Sequence, residues 1–181
     1  MRTTLTPILA ALFLASPFGG AMAQEDLTAA TPADIEAVFQ AGERAYRTGD
    51  HTAAISLYSQ VLDRDPDHLN AYLHRGFCHE LVKDHAAAVS DLTAVLQREP
   101  GHKWAFITRA AAYTRLGQPE RALQDLEAAL AIDPNDQEAY NNRGWAHKAM
   151  GEMEAACNDW RTSQRLGNSE ARIILSNNRC K

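Results

Sequence analysis

The sequence predicts an all-α fold, a solenoid of antiparallel helix pairs, and three observations carry that prediction. One pattern is written four times at a fixed interval of 34 residues, over 35–68, 69–102, 103–136 and 137–170, with no insertion between copies. Small residues recur at two stations of the pattern and large residues at two others. Glycine and proline punctuate it alternately, so each copy reads as helix, tight turn, helix, tight turn.

The first residues carry a basic Arg2, an apolar run from Leu5 to Phe18, and the small residues of Ala21-Met22-Ala23. This is the layout of a secretory signal, and residues 1–23 are expected to be removed before Gln24. The apolar run falls short of the roughly 20 residues a membrane helix needs. Residues 24–33 read as a loose polar lead. Thr31 and Asp34 stand three apart around Pro32, which predicts a capping box opening the first helix.

Within each copy the inner turn carries Gly49, Lys83, Gly117 or Gly151, a station that suits a left-handed residue ending the first helix. The outer turn carries Pro66, Pro100 or Pro134, which stops the second helix. Asp67 and Asn135, directly after two of those prolines, are expected to cap the next helix.

Gly42, Gly76, Ala110 and Gly144 share one station, and Ala54, Ala88, Ala122 and Ala156 another. Beside them recur Val38, Tyr72, Phe106 and Tyr140 in the first helix, and Tyr58, Leu92, Leu126 and Trp160 in the second. A small residue opposite a large one lets two helices cross closely. No copy can bury its apolar face alone, so the four should fold as one domain over 34–181. Ser169 is expected to cap a final helix within 169–178, whose Ile173, Ile174 and Leu175 would cover the last copy.

Arg75, Arg109 and Arg143 share a station, and Asp91, Asp125 and Asp159 share another, sixteen residues on. Stacking turns each set into a column. The pairs can form within a copy, or from Asp91 to Arg109 and from Asp125 to Arg143. An ion-pair ladder is the expected role, and a column of arginines for an acidic ligand is the alternative.

The chain keeps Cys78, Cys157 and Cys180. A final helix folding back antiparallel brings Cys180 towards Cys157, so a disulfide between them is expected, worth roughly 3 kcal/mol from loop entropy. Cys78 reads as a small buried filler.

The 34-residue period, the Gly/Ala of the first helix, the Ala of the second and the closing Pro resemble the tetratricopeptide repeat family over 35–170. The resemblance implies a right-handed superhelix whose concave face comes mainly from the first helix of each copy. It places Phe39, Gln40, Glu43, Leu73, His74, Phe77, Trp104, Thr108, Ala111, Glu138, Asn141, Asn142 and Trp145 on that face. These give aromatic platforms beside amides, a surface for an extended peptide or a partner helix. Packing of Trp104 and Trp145 as core is the competing reading. Some relatives hold a partner's C-terminal carboxylate with Lys, Asn and Arg. The matching stations here hold residues such as Leu73, Phe77, Thr108 and Glu138, so that activity is not expected.

The full chain carries a formal charge of −5. Loss of Arg2 with the signal makes it more acidic, which argues against nucleic acid as partner. His74 and His79 are five apart and do not share a helix face, so no metal site is expected. No haem attachment, phosphate loop or nucleophile elbow is present, so no cofactor and no catalytic group is expected either. The expected function is a non-catalytic protein- or peptide-binding scaffold of the bacterial envelope, located in the periplasm, with no membrane span in the mature form. A purely structural assembly subunit, self-associating and with an unused groove, is the second expectation. An enzyme is the least favoured.

Overall fold

The computed structural model describes residues 31–180; the segment 1–23 expected to act as a signal, and residues 24–30, lie outside the described part. The helices are α1 (Pro32–Arg47), α2 (His51–Arg64), α3 (Leu69–Leu81), α4 (His85–Arg98), α5 (Lys103–Arg115), α6 (Pro119–Ile132), α7 (Gln137–Ala149), α8 (Met153–Arg165) and α9 (Ala171–Asn177). Each packs on its chain neighbours, and the first helices of successive pairs also touch, α3 on α5 and α5 on α7. The fold is an all-α solenoid of helix pairs.

Local chemistry sets the ends. Thr31 Oγ1 accepts from the Asp34 amide while the Thr31 amide donates to Asp34 Oδ2, a complete capping box in front of Pro32. Asp50 and Asp84 cap α2 and α4 through their carboxylates. Asp67 and Asn135 do not cap. The turn after each proline runs one residue further, so the cap falls on His68, His102 and Asp136, whose side chains accept from the amides of Ala71, Ala105 and Ala139. Asp67 and Asn135 instead donate their own amides back to Asp65 and Asp133.

The inner turns are left-handed, with φ of +82° at Gly49, +71° at Gly117 and +83° at Gly151. Lys83 fills the same station at +67°. A side chain there costs about 1–2 kcal/mol, partly offset because glycine loses more freedom on folding. Lys83→Gly is therefore expected to stabilise the fold by about 0.5–1 kcal/mol, read as a higher midpoint in urea.

The core is built from triplets of helices. One apolar cluster joins Phe39 of α1, Tyr58 and Val61 of α2 and Ala71 and Cys78 of α3. The next joins Leu73 of α3, Leu92, Val95 and Leu96 of α4 and Ala105 of α5. The third joins Ile107, Ala110 and Tyr113 of α5, Ala122, Leu126 and Ala129 of α6 and Ala139 and Ala146 of α7. Every cluster borrows from the following pair, so no pair closes its own core. The close crossings depend on the small station. A Cβ on Gly76 would lie 2.9 Å from Leu92 Cγ, and one on Gly144 would fall on the Trp160 indole.

The charged columns pair within each copy. Arg75, Arg109 and Arg143 each hold both carboxylate oxygens of Asp91, Asp125 and Asp159 at 2.7–2.8 Å. The spare Nη1 of Arg75 and of Arg109 reaches back to Ser59 Oγ and Thr93 Oγ1 of the preceding pair. Each of these two arginines thus ties three helices together, and both Nε and Nη2 of every fork are spent on the aspartate rather than offered to an acidic ligand.

The C-terminal cap is shorter than the sequence suggests. Ser169 is exposed and caps nothing, and Asn168 Oδ1 instead accepts from the Glu170 amide. In α9, Ala171 is buried, Ile174 and Leu175 are half-buried, and Ile173 remains 60% exposed. A disulfide joins Cys157 of α8 to Cys180 just beyond α9. The bridge joins residues 23 apart in the sequence, so Cys157→Ser is expected to cost about 3 kcal/mol. The check is an equal loss of denaturation midpoint when the parent protein is reduced.

Candidate functional site

The first helices α1, α3, α5 and α7 lie side by side, and two clefts open along them. The first, of about 430 Å³, has Phe77, Leu81 and Trp104 as apolar walls and Tyr46, Glu80 and Thr108 at its edges. The second, of about 460 Å³, has Ala111, Trp145 and Ala149 as its floor and Thr114, Arg115, Asn142 and Lys148 around it. α5 borders both.

The two tryptophans stay accessible. Trp104 is 49% exposed and Trp145 37% exposed. Each carries an ammonium over its ring, Lys103 at 4.7 Å and Lys148 at 4.9 Å from the centroids. Lys103 is also held by Asp133 at 2.8 Å and Asp136 at 2.6 Å, which raise its pKa. Lys148 donates to Asn178 Oδ1 at 2.6 Å, so the residue after α9 holds the cation above Trp145. Trp145 in turn stands edge-on to the buried Trp160. Trp104, with half its surface in water, and Trp145, resting on the core, form aromatic platforms lining the clefts.

Of the residues the sequence places on this face, Phe77, Trp104, Thr108, Asn142 and Trp145 line the clefts, as does Ala111. Glu138 lies outside them and stays exposed. Neighbouring atoms that crowd it, then Asp136 and Glu170, push its carboxyl above the usual range. Phe39, Glu43, His74 and Asn141 do not line the clefts. Phe39 is buried and packs on the rings of Tyr58, His68 and His74. Glu43 accepts from the Tyr58 hydroxyl at 2.7 Å and pairs with His74 Nδ1. These groups form a polar plug between α1, α2 and α3. Burial, then Glu43, pushes the Tyr58 phenol far above its ordinary value. The same causes raise the Cys78 thiol to about 11, leaving it an inert filler. Asn141 turns inward, its backbone carbonyl accepting from Trp160 Nε1 at 3.2 Å.

Phe39 shares its station with Leu73 and Ile107, both buried. That station, apolar in the first three copies and Asn141 in the fourth, is the signal that separates core from cleft. The cleft residues the sequence reading omits, Tyr46, Glu80, Leu81, Thr114, Arg115, Lys148 and Ala149, occupy the last turn of each first helix. They continue the helical face one turn beyond Thr108 and Ala111 or Asn142 and Trp145, at the i, i+3, i+7 spacing. Among the described residues no group of His, Cys, Asp and Glu could hold a metal ion, and no helix is long and apolar enough to cross a membrane.

Tetratricopeptide-repeat family models match residues 39–103 and 137–166, and a TPR-repeat model matches 110–151. The chain belongs to the tetratricopeptide repeat family, a fold of non-catalytic protein-interaction scaffolds. No curated protein matches the chain. Among solved structures, MamA residues 41 to the end from Desulfovibrio magneticus RS-1 is 22% identical, with a TM-score of 0.71 over 77% of this chain and 78% of that one. TTC0263, a thermophilic TPR protein in Thermus thermophilus, is 20% identical, with a TM-score of 0.69 over 80% of each chain. At these identities the likeness is one of fold.

Proposed function

We propose that this chain is an exported scaffold of the bacterial cell envelope that binds a protein or peptide along α3, α5 and α7. The supporting observation is the pair of apolar clefts sharing α5, each lined by a partly exposed tryptophan. Aromatic side chains that stay accessible yet are braced by a core or a cation are preorganised anchors, so little ordering is needed on binding. The signal-like segment supports export to the periplasm, and a mature N-terminus at Gln24 on the secreted protein is the check.

Trp145→Ala is expected to weaken partner binding by about 2 kcal/mol, or roughly thirtyfold. The measurement is affinity capture from the envelope fraction with parent, Trp145→Ala and Trp104→Ala proteins side by side. Capture equal across all three would instead favour a structural assembly role with the clefts unused.

A further inference from the structure

The two clefts differ in charge, and the difference defines a ligand. The first is edged by Glu80, whose carboxylate is engaged by His85 Nδ1 at 2.7 Å. The second has two cations, Arg115 and Lys148, and no acid among its lining residues. Arg115 is exposed and forms no ion pair among the described residues, while Lys148 is held in place by a neutral amide. In a chain whose formal charge is −5, two uncompensated cations at the rim of an apolar cleft are a local inversion.

From this the geometry points to an acidic peptide as the ligand: an extended segment with one apolar side chain in each cleft and an Asp or Glu side chain beside the one that enters the Trp145 cleft. This rests on the cleft-binding reading above. Neighbouring helices lie about 8–10 Å apart and an extended chain rises about 3.3 Å per residue, so the two apolar residues stand about three apart. The carboxylate comes from a side chain, because Met150, just past the cleft-lining Ala149, is exposed and leaves the strip open for the chain to run on. Arg115 supplies a guanidinium fork for the carboxylate, and Lys148 adds charge above the aromatic floor. Attraction across such a rim fixes the direction and register of the peptide more than it adds affinity.

A phage-displayed random peptide library panned on the protein, on Trp145→Ala and on Arg115→Glu tests this. The expected result is a set of peptides selected by the parent and not by Trp145→Ala, enriched in Asp or Glu next to an apolar residue. The most enriched peptide, synthesised with blocked ends and a fluorophore, should bind at least tenfold more weakly when its acid is changed to Lys. It should also weaken as salt rises, and Arg115→Glu should prefer the Lys form. Peptides that depend on Trp145 but show no preference for acids would overturn this inference and leave cleft binding standing. Selection only of peptides ending in a free carboxylate, whose binding amidation abolishes, would overturn the side-chain assignment. No selection above background, or selection indifferent to Trp145→Ala, would overturn both readings.

Discussion

Replacing Trp160 with alanine should cost the fold about 3–5 kcal/mol, the range for deleting a large buried aromatic, and lower the melting temperature by roughly 10 °C or more. Trp160 is fully buried, and its indole fills the notch left by Gly144 on the facing helix. Its Nε1 donates to the Asn141 carbonyl at 3.2 Å, so the deletion also strips a partner from a backbone group of α7. The repeat supplies its own control. The third copy solves the same crossing with Ala110 and Leu126, both fully buried. Gly144→Ala alone should destabilise, because its Cβ meets the indole. In a Trp160→Leu background the same Gly144→Ala change should recover stability, since it rebuilds the third copy's pairing. The four proteins form a double-mutant cycle in urea. Additive losses would show that notch and ring are not coupled. The effect should also reach the cleft, because Trp145 loses the ring it stands against.

The architecture was legible because its causes repeat. A left-handed station, a proline stop and a small-against-large crossing each recur at 34 residues, so an error in one copy is corrected by the other three. What one copy does alone was harder to read. The plug of Glu43, Tyr58 and His74 has no counterpart in the period, because Glu43 stands where the later copies have Phe77, Ala111 and Trp145. Its carboxylate could be satisfied only by groups from α2 and α3, and which groups those are depends on packing. Cap positions slipped by one residue for a related reason. After Pro66 the better capping residue, Asp67, is not the one at the helix boundary, which is His68; after Pro134 two equally good caps, Asn135 and Asp136, stand side by side and propensity alone does not choose between them. The clefts extend about one turn further along the first helices than the residues expected on that face. Helical periodicity identifies the face, while the extent of a cleft depends on how far each neighbouring helix splays away.

Arg109→Ala should be the most damaging change to the charged ladder, at about 3 kcal/mol, the lower end for breaking a buried pair because the arginine keeps an edge in water. Its guanidinium holds both oxygens of Asp125 and donates a third bond to Thr93. It also lies 5.7 Å from the centre of the Tyr113 ring. Truncation leaves the carboxylate of Asp125, whose side chain is 8% exposed, facing the interhelical seam without its cation. The loss is thus mostly the stranded charge rather than the worth of the pair. A pairwise replacement separates the two: Arg109→Met with Asp125→Leu should regain most of the stability, because a well-packed apolar pair often equals a buried ion pair. The bond to Thr93 makes a further difference between rungs. Arg75 and Arg109 each reach a hydroxyl on the preceding pair, whereas the equivalent station before Arg143 holds Glu127. Thr93→Val should therefore lower stability by about 1 kcal/mol and do so only while Arg109 is present. Urea midpoints of Thr93→Val, made in the parent and in the Arg109→Met, Asp125→Leu double variant, decide it: equal losses in both would mean that the hydroxyl does not act through the ladder.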